Sequence, residues 1–316
     1  MTQTKDMRET YNDTLVELAA ADDRIVILEA DLMKATGTVP FRDRFPNRAF
    51  NVGVAEANMA GVAAGLSSVG KIPFAASFST FASRKTYDQF FIYANYAQLN
   101  VKLVGTDPGV TAAYNGGTHM SFEDGGLMRN IPKLTVFEPC DNISLASLIR
   151  ASAAHPGCTY MRLQRKGGQV IHSGNTKFEL GKGVVLRDGT DITLAATGFV
   201  MVPEALKAAD TLEKEGISAA VLDIHTVKPI DRDLIVAYAR KTGAFVTCEN
   251  HQVVNYLGSA VAEVIAEEEP AVLGRIGVQD EFGQVGTLDF LKTAYGLTAG
   301  DIAEKAREVL RRKKQQ

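Results

Sequence analysis

The chain has 316 residues, 46% apolar and 22% charged, which is ordinary globular usage and excludes a disordered or fibrous chain. That length fits two domains. The 34 basic and 37 acidic residues leave a net charge of −3, which excludes a chain-wide nucleic-acid footprint; the basic run Arg311, Arg312, Lys313, Lys314 reads as a solvated helix end.

An amphipathic helix opens near Met7 and leads into an apolar strand over 24–28. A second strand is expected over 50–54, followed by a small-residue helix over 55–66. Strands follow over 72–76, 101–105, 134–137 and 160–163, with helices through Tyr87 and Tyr93 and over 142–154. Continuous apolar strands between helices predict a parallel sheet covered on both faces. Residues 169–181 are polar and glycine-punctuated, the mark of a linker. Strand–helix alternation then restarts, with strands over 191–196, 218–223, 244–248 and 273–278 and a helix from Val202. The expected fold is therefore α/β in two domains, 1–168 and 182–316, each a mostly parallel sheet with helices on both faces.

No apolar run reaches the length of about 18 residues that a membrane span needs. The polar N-terminus lacks a signal-peptide core, so a cytoplasmic protein is expected. Cys140, Cys158 and Cys248 lie far apart and form neither a disulfide framework nor a CxxC site. His155, His172, His225 and His251 show no metal-ligand spacing and read as structural. The dinucleotide GxGxxG, the P-loop, HExxH and GxSxG are all absent.

Four constellations remain. Glu56, in VGVAEAN, stands where a strand passes into a helix. It serves either as a first-turn acidic residue on the helix dipole or as a desolvated carboxyl that hydrogen-bonds a basic ring nitrogen. Phe78, Phe81 and Arg84 follow at a helix start and form either core packing or a platform for a flat heterocycle. The glycine-rich loop after the strand at 101–105 carries Thr106, Asn115 and His119. His119 is either a surface residue or a donor near reacting groups. Arg165, at a strand end, is either solvated charge or a clamp for an anion.

Together these segments resemble the transketolase family of thiamine-diphosphate enzymes. VGVAEANMAGVAAGL resembles the helix entry that bears the family's catalytic glutamate, and IPFAASFSTFASR the aromatic segment after it. GGTH with FEDGGLMRNIPKLTVFEPCD resembles the substrate loop and next strand. VLDIHTVKPID, CENHQVVNYLGSAVAEVI and DEFGQVGTLDFLKTAYGLT resemble the family's C-terminal domain. Nearly the whole chain is covered, but only the second half of a full-length transketolase. The half that holds the diphosphate through Mg²⁺, with its GDG motif, has no counterpart; Glu123-Asp124-Gly125 lacks the leading glycine. The resemblance thus implies the C-terminal subunit of a split transketolase, working with a separate diphosphate-binding subunit in a heterotetramer of two of each. The Mg²⁺ ligands are expected on that partner.

The resemblance also implies roles. Glu56 would hydrogen-bond the aminopyrimidine of thiamine diphosphate and favour the tautomer that activates the thiazolium. Phe78, Phe81 and Arg84 would pack around the ring, with Asp31 close by. His119 would serve catalysis and bind substrate hydroxyls, and Arg8 and Arg165 would hold a sugar phosphate. A two-carbon unit would pass from a ketose to an aldose. Thr106 stands where the family has His, Asn115 where it has an acid and Met120 where it has Gln. Lys34-Ala35-Thr36 also departs, and the loop at Ala112-Ala113-Tyr114 is one residue longer. A specialised ketose phosphate, or another anionic ketose, is expected. The alternatives are the β subunit of a 2-oxoacid dehydrogenase's decarboxylating component, a deoxyxylulose-phosphate synthase-like enzyme, or a subunit that only stabilises a partner.

Overall fold

The structure is a computed structural model that describes residues 5–315. Strands β1 (Ile25–Glu29), β2 (Ala49–Asn51), β3 (Ile72–Phe78), β4 (Lys102–Thr106), β5 (Thr135–Phe137) and β6 (Thr159–Leu163) pair in parallel. Most are buried along their whole length, because helices cover both faces and no polar side is needed. Past the linker come β7 (Val184–Arg187), β8 (Ile192–Ala196), β9 (Ala219–Asp223), β10 (Thr226–Lys228), β11 (Ala244–Gln252) and β12 (Val272–Val278). The second sheet has the order β12-β11-β8-β9-β7.

Two strands were missed in the sequence. The edge strand β7 pairs antiparallel with β9. More consequentially, β10 leaves its own sheet and pairs antiparallel with β5, so the first sheet has the order β10-β5-β6-β4-β3-β1-β2. Three residues carry no readable period. What holds them is tertiary: Lys228 Nζ reaches the carbonyl of Arg129 at 2.8 Å and also that of Ile131. One apolar cluster joins Met59 and Tyr160 of the first sheet's layers to Leu222, Phe245 and Tyr256 of the second's.

The helix expected through Tyr87 and Tyr93 is broken into Ser79–Arg84, Tyr87–Gln89 and a π-helical turn over Phe90–Tyr96. Thr86 Oγ1 donates to the Ala82 carbonyl at 2.5 Å and Asn95 Nδ2 to that of Phe90 at 2.8 Å, so side chains compete for the helical acceptors. The helix expected from Val202 begins at Gly198, and β11 runs four residues beyond the expected 248. Asn142–Ala154 is helical as expected, capped by Asp141, whose side chain accepts from Ser144 N at 2.8 Å.

The chain leaves β1 toward β2 on one side and leaves β3 toward β4 on the other. The crevice at the carboxyl ends of β1 and β3 is therefore the topological switch point, where such sheets bind ligands.

Candidate active site

Glu56 is the first residue of the helix Glu56–Ser68, which follows β2 and opens at that crevice. It is only 3% exposed, although Gly53 and Val54 just before it are exposed. Ser77 Oγ of β3 donates to Oε1 at 3.2 Å, and Lys85 Nζ stands 3.5 Å from Oε2. Neither partner was singled out in the sequence, although both lie within the aromatic segment or one residue past it. A turn ties the approach to Glu56: Asn51 Oδ1 accepts from Asp31 N and Gly53 N, each at 3.0 Å, and Asn51 Nδ2 donates to Asp31 Oδ1 at 3.0 Å. That turn is what places Asp31 at the crevice.

Phe78 ends β3, and Phe81 lies in the next helix. Their centroids are 6.3 Å apart, and His119 meets both rings edge-on, at 5.6 Å and 5.1 Å. Lys85 Nζ sits 4.5 Å from the Phe81 centroid and the Arg165 guanidinium carbon 5.0 Å from that of Phe78. His119 is half-buried, and among the described residues its ring bonds only Thr118 Oγ1, at 3.0 Å through Nδ1. Two rings, an imidazole, two cations and a buried carboxylate are thus gathered from segments up to about a hundred residues apart.

Arg165 pairs with Asp107, and its backbone carbonyl accepts from Arg8 N at 3.1 Å, so the two arginines are neighbours. Arg8 also pairs with Asp6 at 3.2 Å. Burial pushes the Asp107 carboxyl up to about 6 against the opposing pull of Arg165. Arg84 pairs with Glu123 at 2.8 Å, and burial raises Glu123. Neither acid was assigned to the site in the sequence, where Glu123 entered only through the Glu123-Asp124-Gly125 string. Thr106 is fully buried beside Phe78 in the sheet register, and its hydroxyl has no hydrogen-bond partner among the described residues. Asn115 is exposed on the loop before His119.

Two other clusters are already satisfied. Asp124 accepts from Arg162 Nε at 2.9 Å and Tyr160 OH at 2.8 Å, so the acid of the Glu123-Asp124-Gly125 string is committed to a buried ion pair. Cys140, Asp141 and His172 lie close enough to hold a metal, but both Asp141 oxygens already accept N–H groups and His172 is 2.8 Å from Asp223. The three cysteines are free and buried.

The family description "Transketolase, pyrimidine binding domain" matches residues 3–169, and "Transketolase, C-terminal domain" matches 181–302. This chain belongs to the transketolase family. A "6-deoxy-6-sulfo-D-fructose transketolase subunit SqwH" from Clostridium sp. (strain MSTE9) is 53% identical over 307 residues, which is 97% of this chain and 95% of that protein. A solved structure described as "Split gene transketolase, inactive beta4 tetramer" superposes with a TM-score of 0.91 at 44% identity, covering 98% of this chain and 99% of that one. The 1-deoxy-D-xylulose-5-phosphate synthase of Heliobacterium modesticaldum is 38% identical over 95% of this chain, which spans 46% of that enzyme. This transketolase chain thus aligns end to end with a subunit and with under half of a synthase. Its family makes it a thiamine-diphosphate-dependent transferase component, and its split form implies a partner. No helix among the described residues is long and apolar enough to cross a membrane.

Proposed function

We propose that this chain supplies the pyrimidine side of the active site in a split transketolase that moves a two-carbon unit from a ketose ending in an anion to an aldose. The observation that carries the reading is Glu56, buried at a helix start beside the Phe78–Phe81–His119 cluster. These residues fit the aminopyrimidine end of thiamine diphosphate: a carboxylate with little solvent, two rings, and free space at Gly53, where an added Cβ would meet nothing within 4 Å. The bound cofactor supplies the carbanion-stabilising chemistry that lets a two-carbon unit change carriers.

In this reading Glu56 holds a proton at the ring nitrogen, while Ser77 fixes one carboxylate oxygen. Phe78 and Phe81 pack the ring and exclude water, with Arg84, held by Glu123, at the rim and Asp31 on the turn opposite. His119 donates to substrate hydroxyls and steadies developing oxyanion charge. Arg165 and Arg8 bind the terminal anion by charge-assisted hydrogen bonds. Asn115 faces the sugar from the loop, and Thr106 acts only through the packing of Phe78. The diphosphate and Mg²⁺ lie on the partner subunit, in an assembly of two of each chain.

The name of the SqwH relative favours a terminal sulfonate, with a sugar phosphate as the second candidate. The assay pairs this chain with its diphosphate-binding partner and offers 6-deoxy-6-sulfofructose, fructose 6-phosphate, fructose or pyruvate, each with an aldose acceptor. Transfer from an anionic ketose, and none by either chain alone, is expected. Efficient use of pyruvate would instead support the synthase or dehydrogenase reading. Glu56→Gln in the assembled enzyme should lower turnover by several orders of magnitude and slow hydrogen exchange at the thiazolium carbon without changing the melting temperature. Unchanged exchange would remove Glu56 from this role.

A further inference from the structure

The second domain touches the first along an unexpected line. The loop over 107–122, which carries His119, is gripped by the end of β11 and by the loop over 280–283. Asn250 Nδ2 donates to the Pro108 carbonyl at 2.9 Å, and Asn250 Oδ1 accepts from Val110 N at 2.9 Å. Gly109, with φ +58, lies directly beneath this amide, where any Cβ would collide with it. At the far end of the loop, Gln252 N donates to the Phe122 carbonyl at 2.9 Å.

The middle is held from the other side. Gly283 packs on Gly117 so closely that a Cβ on Gly283 would stand 2.8 Å from Met120 Cβ and 2.9 Å from Gly117 Cα. Tyr295 OH holds the Phe282 carbonyl at 2.8 Å, and its ring meets Phe122 at 5.1 Å. Asn250 is itself anchored: its carbonyl accepts from the buried Arg162 at 2.9 Å. Inside the loop Ala113 adopts φ 47 and ψ −116, a sparsely populated conformation that persists only when its surroundings over-determine it.

We infer that Asn250 and Gly283 are positioning residues, through which the second domain holds His119 between the edges of Phe78 and Phe81. This rests on the reading that His119 meets the substrate. The reason is mechanical. A glycine-rich loop free at either end would sample many conformers, and a displacement of about 1 Å from reactive geometry can cost about a hundredfold in rate. Two backbone hydrogen bonds to one amide fix the loop's entry, and a glycine-on-glycine contact fixes it two residues before His119.

The test is a double-mutant cycle in the assembled two-subunit enzyme. Asn250→Ala should lower kcat/KM by about a hundredfold. The cofactor concentration for half-activation should change little, because the Glu56 side of the cluster is untouched. In a His119→Ala background the same change should cost less than about threefold, because the group it positions is gone. Asn250→Asp, which keeps the acceptor for Val110 N, should recover part of the loss. Gly283→Ala pushes the loop from the opposite face, should show the same non-additivity, and carries the test if Asn250→Ala fails to assemble. Losses that multiply in the double variants would overturn the proposal. A His119→Ala enzyme with full turnover would instead overturn the reading of the site on which it rests.

Discussion

Asp107 shows how one residue serves backbone and charge together. It adopts φ 51 immediately before Pro108, a left-handed conformation that Asp and Asn tolerate better than other side chains. Its carboxyl, pushed up to about 6 by burial, faces Arg165. An ordinary aspartate titrates near about 3.9, so the folded protein retains this proton to higher pH. Below about pH 6 Asp107 is neutral and Arg165 keeps its charge for a substrate anion; above it the carboxylate competes for the guanidinium. The KM for a sulfonate-ended ketose, whose charge does not change over this range, should therefore rise as pH rises through about 6. Asp107→Asn tolerates the same backbone and should flatten that profile; an unchanged inflection would assign it to another group. Arg165→Ala should raise KM for the anionic ketose far more than for its neutral analogue, by about 1.5–3 kcal/mol if a charged hydrogen bond is lost. Equal effects on both would make Arg165 a packing residue over Phe78. Glu56 was legible as a candidate because it is an acid among apolar and small residues at a strand-to-helix passage, and His119 because it is a titratable group in a glycine-rich loop after a strand. Asp107, Glu123, Lys85 and Ser77 were not, since their meaning lies in partners remote in sequence or on neighbouring strands.

Elements with strong local signals folded as their patterns indicate. The helix Asn142–Ala154 begins after an Asp cap, and its first turn satisfies a capping box. Asp141 also binds the incoming linker, since Oδ2 accepts from Ile171 N at 2.9 Å and His172 N at 2.8 Å. Asp141→Ala should therefore destabilise by about 2–4 kcal/mol, a cap plus buried N–H groups left without an acceptor. Thermal unfolding would show a melting temperature lower by several degrees. A shift below a degree would mean that water or a neighbour replaces the carboxylate. Strands β1, β4, β6, β8 and β9 were legible because burial on both faces makes them short, mostly apolar runs. β10 was not, because its three residues belong to a sheet built by the other half of the chain. The π-helical turn was hidden for a related reason, since Asn95 and Thr86 read as ordinary helix-compatible polar residues until their acceptors are seen.

At the scale of the whole molecule, the two halves share apolar packing, a sheet edge and the hydrogen bonds that join the first half's Arg162–Asp124–Glu138 ion cluster to Asn250 and Tyr256, so their stability is common property. Buried acids make that stability depend on pH. Glu29 is fully buried at the end of β1; Thr36 and Thr38 hydroxyls each donate to Oε1 at 2.7 Å, and Oε2 has no hydrogen-bond partner among the described residues. Burial pushes it up to about 8 against those two hydroxyls, and Glu249 is pushed up to about 8 as well. An unfolded glutamate titrates near about 4.3. The folded chain thus binds more protons between about 4.3 and 8, and these groups withdraw stability as pH rises through that window. Glu29→Gln should lessen the fall in unfolding free energy between about pH 5 and 8, read from urea denaturation, and Glu29→Gln with Glu249→Gln should lessen it further. Parallel curves for wild type and variants would show that water reaches these carboxyls. Sequence alone determined the α/β class, the two-part division and the family, because apolar period, glycine punctuation and ordered motifs are properties of neighbours along the chain. Only the tertiary structure decided that β10 completes the first sheet, that Arg165 answers to Asp107, that Thr106 is sealed away, and that Asn250 and Gly283 grip the His119 loop. Those depend on which groups burial brings within a few ångströms, and no separation along the chain encodes that distance.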